Sequence, residues 1–265
     1  MSDKMMKQPL KKRIRKWAII FVVIAIYIWA FAGMPAVALK DSAVTAIKGI
    51  VNGLIHPDWE YVYDPSGEDL LRSLLETLAI AVLGTFISAI LCIPLALMAA
   101  RNLTKHRWIS SLGKVILSAI RVFPELILAL LFIKAVGLGP FAGILALGIH
   151  SIGMLGKLIA ESIENMDFGA VEALTASGAN KVQTMWFAVV PEVLPAFMSY
   201  TLYRFEISVR AATILGIVGA GGIGAPLIFA LNGHSWDRVG MILIGIIVMV
   251  TMIDIISGTI RKRIV

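Results

Sequence analysis

TLAIAVLGTFISAILCIPLALMAA, residues 77–100, is a run of 24 residues without a charged side chain. A helix needs about 20 mainly apolar residues to cross roughly 30 Å of hydrocarbon, so this run is long enough to span a bilayer. Five more runs are mainly apolar: 17–34, which also has no charged side chain, and 112–134, 139–160, 195–217 and 239–258, which charges interrupt. The sequence therefore predicts an all-α integral membrane protein with six transmembrane helices.

The composition of the whole chain agrees with this class. Of the 265 residues, 58% are hydrophobic and 15% are charged, whereas a soluble domain is about 45–50% apolar and 25% charged. The net charge of +7 gathers at the two ends and forms no basic stripe with interleaved aromatics, so we expect no nucleic-acid partner. The basic residues at the ends are Lys4, Lys7, Lys11, Lys12, Arg13, Arg15, Lys16, Arg261, Lys262 and Arg263.

The positions of lysine and arginine predict the orientation in the membrane. With the N-terminus inside, 15 basic residues lie on the inner side and five on the outer side. An excess of basic residues marks the cytoplasmic side, so we expect a multi-pass protein of the cell membrane with both termini in the cytoplasm. In this scheme 1–16 and 261–265 are basic cytoplasmic ends, the polar stretch 35–72 is extracytoplasmic, and 73–260 is the membrane core.

The first apolar run has a second interpretation, a cleaved signal peptide. The run Trp17–Met34 is longer than the 7–15 residues of a signal h-region. Pro35-Ala36-Val37-Ala38 only faintly resembles a cleavage site. We therefore expect a retained first transmembrane helix.

The least membrane-like part of the second half is the predicted cytoplasmic segment 161–195. Its small and apolar residues Ala170, Ala173, Leu174 and Ser177 share one helical face. Asp167 lies near a plausible helix start, where an acid suits the helix dipole. We expect Pro191 and Pro195 to break or kink the chain before the next transmembrane helix.

This segment carries Glu172-Ala173-Leu174, then Gly178, then Val190-Pro191. The pattern resembles the EAA loop of ABC importer permeases, in which E-A-A is followed by glycine and by a hydrophobic-x-hydrophobic-Pro ending. Glu172, Ala173, Gly178 and Pro191 match in register, whereas Leu174, Ala188 and Val190 depart from the commonest residues. The resemblance implies a short coupling helix that docks on a separate cytoplasmic ATPase. Small residues allow close approach, and Glu172 could meet a basic residue of the partner. The alternative is an ordinary amphipathic connector.

Further strings resemble the phosphonate-type branch of these permeases, which has a MetI-like fold. The match covers roughly residues 70–260 and is weaker before them. It implies import of phosphonate, phosphite or a related oxyanion, a dimer of identical or paralogous permeases, and delivery by an extracytoplasmic binding protein. The matching strings are Arg121-Val-Phe-Pro124-Glu125, Gly137-Leu-Gly139-Pro140-Phe-Ala-Gly143, Lys157-Leu-Ile-Ala-Glu161, Tyr203-Arg204-Phe-Glu206, Val209-Arg210 and Gly219-Ala-Gly221-Gly222-Ile-Gly224.

The last of these strings, with glycines at Gly219, Gly221, Gly222 and Gly224, also fits the dinucleotide pattern G-x-G-x-x-G. That interpretation requires a βαβ unit, which the apolar surroundings do not offer. Glycines let backbones approach closely, and helix breaks at membrane depth are tolerated where they line a cavity. We expect a hinge or gate near the outer mouth.

No P-loop for ATP is present. The motif G-x-x-x-x-G-K-[ST] fails at both Gly-Lys pairs, because Gly113-Lys114 is followed by Val115 and Gly156-Lys157 by Leu158. We therefore expect a non-enzymatic chain that binds no cofactor, with ATP and Mg²⁺ on the partner ATPase.

Two pairs of charges lie within the predicted transmembrane helices. Arg121 and Glu125, and likewise Glu206 and Arg210, are four residues apart, which predicts that each pair shares a helix face. Charges at membrane depth usually face the bundle interior. They could attract an anionic substrate along a translocation pathway, or they could be structural ion pairs. We interpret His150 as a packed polar residue, and no His/Cys/Asp cluster suggests a metal site.

The sequence thus predicts the permease subunit of an ABC importer for phosphonate or a related oxyanion. Within this class, an alternative is a permease for methionine or another small solute. Outside it, an ion-coupled secondary transporter would not need the motif that ends at Pro191, and an intramembrane enzyme would need a convergent catalytic set that the sequence lacks.

Overall fold

The computed structural model describes residues 10–32, 41–64, 69–104 and 106–264. Several residues behind the predictions lie outside these ranges, namely the bases Lys4, Lys7 and Lys105 and the tetrapeptide 35–38. The chain divides into two compact units after Lys48.

The first unit contains α1, Leu10–Ala32, and the beginning of α2, Asp41–Ile55. The window Arg15–Ala32 is long and apolar enough to cross a membrane, which confirms the predicted helix at 17–34 by length and composition. Its retention in the mature protein stays a prediction. Helix α2 was not expected, because the sequence treats 35–72 as a polar connection.

The second unit is helical, and no strand occurs in its described part. Three short turns supplement its α-helices: 3-10 turns at Glu60–Val62 and Gly216–Val218 and a π-helical segment at Met185–Val189. After α2, the helices are α3 (Leu70–Ala99), α4 (Arg107–Val122), α5 (Glu125–Val136), α6 (Pro140–Asn165), α7 (Gly169–Ala176), α8 (Lys181–Thr184), α9 (Val190–Leu215), α10 (Gly224–Asn232) and α11 (Trp236–Ile264).

Helix α6 lies at the centre of this unit and packs against α3, α4, α5 and α9. Small residues make the close packing possible. A Cβ at Gly84 of α3 would lie 3.0 Å from the Cβ of Leu147, and one at Gly153 would lie 2.8 Å from the carbonyl oxygen of Leu117. Because apolar burial drives association little in lipid, such close backbone contact supplies much of the packing energy.

The six predicted transmembrane helices are found with one change of shape. Five helices are long and apolar enough to cross a membrane, and α4 with α5 makes a sixth if the bent pair counts as one. The pair bends by 82°, because Pro124 cannot donate a backbone hydrogen bond and holds Phe123 in an extended conformation with φ −74° and ψ 119°.

The expected break or kink at the prolines before α9 takes the form of an irregular helix, because residues 181–218 form one continuous helical stretch. Pro191 lies in the first turn of α9, directly after a π-helical segment, and its missing N–H removes one hydrogen bond from this continuous helix. Pro195 lies inside α9, which continues to Leu215. The irregularity is the π-helical segment Met185–Val189, which includes Phe187, the residue whose carbonyl the ring of Pro191 would otherwise clash with.

The two ends of the α3–α6 pair are each tied to other elements. At what we call the α7 end, the backbone N–H of Arg101 and the Nζ of Lys114 donate to Glu164 Oε1, at 2.8 and 2.7 Å. At the opposite end, the glycine turn (219–224) approaches the start of α3 and the start of α6. Gly139 N–H donates to the Gly219 carbonyl there, at 3.0 Å.

Candidate functional site

The segment between α6 and α9 forms the short helix that the sequence predicted. Helix α7 begins at Gly169, whose N–H donates to Asp167 Oδ1 at 3.0 Å. Glu172 lies in its first turn, where a carboxylate suits the positive end of the helix dipole. The side chains of Glu172 and Ala173 are both exposed, so a partner can reach them.

Gly178 ends this helix for a specific conformational reason. Its φ is +83°, in the left-handed region where residues other than glycine are strained. Gly178 N–H donates to the Thr175 carbonyl and Ala179 N–H to the Leu174 carbonyl, at 3.1 and 3.0 Å. These two bonds are those of a Schellman cap, which satisfies the last carbonyls of α7.

A second cap directs the chain from α7 towards α9. Asn180 Oδ1 accepts from Gln183 N–H at 2.9 Å, and Gln183 Oε1 accepts from Asn180 N–H at 2.8 Å. This reciprocal pair is a capping box that starts α8. The exposed segment therefore has defined backbone geometry at both of its turns.

A polar cluster lies inside the bundle, about halfway along α6. Arg204 of α9 is only 3% exposed; its Nε donates to Ser151 Oγ at 2.7 Å and its Nη2 to Glu125 Oε2 at 3.4 Å. His150 Nδ1 is 3.0 Å from the Phe123 carbonyl oxygen, and its Nε2 is 4.0 Å from Glu125 Oε2. Because a buried charge is costly unless it is paired, Glu125 compensates Arg204. His150 is a packed polar residue, as predicted.

The predicted pairing of Arg121 with Glu125 on one helix face is wrong. Arg121 lies in the last turn of α4, whereas Glu125 begins α5 beyond the 82° bend. Glu125 faces Arg204 instead. The side chain of Arg121 is exposed, and it has no ion-pair or hydrogen-bond partner within the described ranges.

Glu206 and Arg210 lie four residues apart on α9, but each pairs with α11 and not with the other. The buried Glu206 contacts Arg261, and Arg210 Nη1 is 3.6 Å from Asp254 Oδ2. The guanidinium of Arg261 also lies 5.8 Å from the ring centre of Tyr203. These cross-helix contacts tie α9 to α11, and they favour the structural interpretation of this pair.

The glycine turn connects α9 to α10 and is held by α3. Gly219, Gly221 and Gly222 have positive φ values of 90°, 82° and 81°. Gly222 N–H donates to Glu76 Oε1 at 3.1 Å, and the next N–H in the turn donates to Thr77 Oγ1 at 2.8 Å.

Gly224 starts α10. The two backbones are so close that a Cβ added to Gly216 would lie 2.7 Å from the Cα of Gly224. The four predicted glycines thus form one compact turn.

Beside this turn is a polar cavity of about 500 Å³. Its lining joins the start of α3 to α10 and α11. The charged residues of the lining are Asp64, Arg72, Glu76 and Arg238. Because Glu76 both lines the cavity and accepts from Gly222, the cavity and the glycine turn share a side chain.

Comparison with known proteins identifies the family. Residues 92–265 match the family model described as "Binding-protein-dependent transport system inner membrane component". The chain belongs to this family. It is therefore an inner-membrane transport component, a permease, rather than a catalyst, and the helices α3 to α11 that contain its candidate sites are the body of that permease.

Two relatives and one solved structure extend this result. The permease is 39% identical over 247 residues to "Phosphite transport system permease protein PtxC" of Stutzerimonas stutzeri, covering 93% of this chain and 87% of the relative. It is 38% identical over 264 residues to "Phosphate-import permease protein PhnE" of Mycolicibacterium smegmatis, covering 99% of this chain but only 49% of that protein. A MetNI methionine ABC transporter in an inward-facing conformation matches 74% of this chain and 96% of its own, with a TM-score of 0.66 at 21% identity. The last match shows the ABC importer permease fold alone.

Sequence reasoning missed the central role of Arg204 in the bundle. Arg204 was quoted only as part of a matching string, because no opposite charge lies four residues away. Its partner Glu125 is 79 residues distant in the chain. A charge inside an otherwise apolar helix was the available signal, since such residues usually face a partner or a pathway.

Proposed function

We propose that this permease forms the translocation pathway of an ABC importer for a phosphorus oxyanion such as phosphite, a phosphonate or phosphate. The observation that carries the substrate class is the 39% identity, over 93% of the chain, to a phosphite transport permease. Arginine side chains at membrane depth agree with an anionic substrate, because a low-dielectric pathway strengthens their attraction to it.

In this proposal ATP and Mg²⁺ bind to two separate cytoplasmic ATPase subunits, and the permease itself binds no cofactor. Glu172, Ala173, Gly178 and Pro191 belong to the segment that docks on the ATPase. The exposed α7 and its glycine cap support this assignment, since they present a short helix of fixed shape. Closure of the ATPases moves α7, and the bundle then switches its accessible side.

The proposal includes three further partners: membrane lipid, an extracytoplasmic binding protein that delivers the anion, and a second permease, either identical or a paralogue. Both termini lie in the cytoplasm, so that the glycine turn faces the outer side and acts as a gate. The backbone geometry of Gly219–Gly224, with three positive φ values, supports a hinge there.

A different solute remains the alternative within this class. The match to the methionine transporter is 21% identical and gives no support for a methionine substrate. An ion-coupled secondary transporter is not supported, because the family is described as binding-protein-dependent.

The test is reconstitution of the permease in proteoliposomes with the ATPase and the binding protein encoded beside it. We expect ATP-dependent uptake of radiolabelled phosphite, with competition by methylphosphonate and phosphate and none by methionine. Uptake of methionine without uptake of any phosphorus oxyanion would contradict the proposal. Reporter fusions at both ends test the orientation.

A further inference from the structure

Arg121 lies level with the middle of α6, and no residue that the structure describes compensates its charge. Its backbone nitrogen would lie 3.0 Å from a Cβ at Gly153, so the two residues are at the same level. Gly153 is 13 residues from Pro140 and 12 from Asn165, the ends of α6, which is about 20 Å and 18 Å along the helix. The hydrocarbon core is about 30 Å thick, so the backbone of Arg121 lies near the middle of this core.

A charged side chain at this depth normally faces a counter-charge or water. Arg121 has neither a carboxylate nor a hydrogen-bond acceptor among the residues that the structure describes. Arginine does not lose its proton in proteins, so the charge persists. The surface around it must therefore be wet, or an anion must approach it.

The other arginines within the bundle are already engaged. The guanidinium of Arg204 donates hydrogen bonds to Ser151 Oγ, to Glu125 Oε2 and, at 3.7 Å, to Met154 Sδ. The residue is only 3% exposed. Arg210 is paired with Asp254. Arg204 therefore presents no free edge, whereas Arg210 uses one nitrogen and its side chain stays 49% exposed. A guanidinium without a partner offers two parallel N–H groups that match an oxyanion.

The backbone at Arg121 is also held in place. The bend after Val122 would leave the Phe123 carbonyl without a helical partner, and His150 lies 3.0 Å from that oxygen. Glu125, the first residue beyond the bend, is bound by Arg204. The polar cluster thus holds the bend, while the side chain of Arg121 remains exposed.

We propose that Arg121 is the side chain that contacts the transported oxyanion in the middle of the membrane, and that the cluster of Glu125, His150 and Arg204 positions the bend that presents it. This inference rests on the proposed function. Arg121 contacts the substrate, and the cluster acts only through the backbone that carries Arg121.

The test uses the complete importer in proteoliposomes and exploits the single cysteine of the chain. The parent is Cys92→Ser, since Cys92 is buried and its thiol donates only to the Ala89 carbonyl. Arg121→Cys is then modified with a cationic aminoethyl or an anionic sulfonatoethyl thiosulfonate. We expect phosphite uptake to fall about tenfold or more on substitution, to recover with the cationic adduct and to stay low with the anionic one. Arg121→Lys should retain more uptake than Arg121→Cys but less than the parent, because an ammonium keeps the charge without the two parallel N–H groups.

Phe86→Cys is the matched control, because Phe86 is 61% exposed and lies near the middle of α3. The two reagents should act alike on this variant. An equal effect of the two reagents on the uptake of Arg121→Cys would overturn the inference. The inference would also be wrong if Arg121→Cys takes up phosphite at the parental rate and neither reagent modifies its thiol.

Melting temperature separates a substrate contact from a structural one. We expect the melting temperature of Arg121→Cys to equal that of the parent. A fall that the cationic adduct reverses would mean that Arg121 neutralises a carboxylate of a second permease copy, and the inference would be wrong. If the parent takes up no phosphite, methylphosphonate or phosphate, the proposed function itself fails. If the parent transports and the two adducts act alike, only the role of Arg121 fails.

Discussion

Gly178 gives the sharpest test of the coupling segment, because its environment isolates one physical effect. A Cβ built at Gly178 meets nothing within 4 Å, so substitution adds no clash within the chain. Its φ is +83°, and this left-handed conformation destabilises the cap by about 1–2 kcal/mol when alanine replaces glycine. That penalty lowers the ratio of capped to uncapped α7 by about 5–30-fold.

We expect Gly178→Ala to reduce ATPase stimulation by the loaded binding protein, and Gly178→Val to reduce it further, because a β-branched residue tolerates positive φ least. Both proteins should reach the membrane in normal amounts. The assay is ATP hydrolysis and uptake in proteoliposomes, with and without loaded binding protein. Gly258→Ala is the matched control, since a Cβ at Gly258 also meets nothing but the residue lies inside α11.

Gly178→Asn distinguishes the two explanations for a requirement for glycine. Asparagine tolerates the left-handed region better than alanine but is larger. If the cap is what matters, Asn should retain more stimulation than Ala. If close approach of the ATPase is what matters, Asn should retain less. Unchanged stimulation in all three variants would refute the coupling role and leave the segment a connector.

Three further predictions concern the bundle and the glycine turn. Glu125→Gln should lower stability in detergent by about 3 kcal/mol, the low end for a broken buried pair because Glu125 is 31% exposed. Glu125→Leu with Arg204→Met should recover most of the melting temperature, and failure to do so would refute the pairing. Arg210→Gln should lower the melting temperature, and adding Asp254→Asn should restore both stability and uptake; restored stability without uptake would instead show that Arg210 contacts the substrate. Thr77→Val removes the acceptor that holds the glycine turn and should raise basal ATP hydrolysis by the assembled importer, whereas unchanged hydrolysis would count against a gate.

The sequence was sufficient for those features that depend on local spacing. Runs of apolar residues predicted the transmembrane helices, and the motif with Glu172 and Gly178 predicted a short helix where α7 is found. Length and composition determine a membrane helix, and a helix cap depends on a few adjacent residues. The bend at Pro124 was also accessible, because a proline inside a helical pattern ends or kinks the helix at the preceding residue.

The charge pairs could not be assigned from spacing, because the relevant partners are distant in the chain. Glu206 and Arg210 do lie one turn apart, yet each contacts a residue of α11. A contact between neighbours on one helix is worth only about 0.2–0.5 kcal/mol. A charge at membrane depth has far more to gain from a partner that also removes it from lipid, so packing between helices decides the pairing.

Helix α9 joins the exposed segment that contains α7 to the glycine turn, and irregular backbone flanks α9 at both ends. The π-helical segment Met185–Val189 precedes it and the glycine turn follows Val218, so the backbone can adjust at both places. Between them Arg204 is fixed to Glu125 and Ser151, 14 residues from Val190 and 11 from Leu215. A helix of 26 residues is about 39 Å long and transmits a rotation from one end to the other when its middle is held. We therefore expect α9 to pivot at Arg204. When α7 moves in one direction, the end of α9 at the glycine turn should move in the opposite direction.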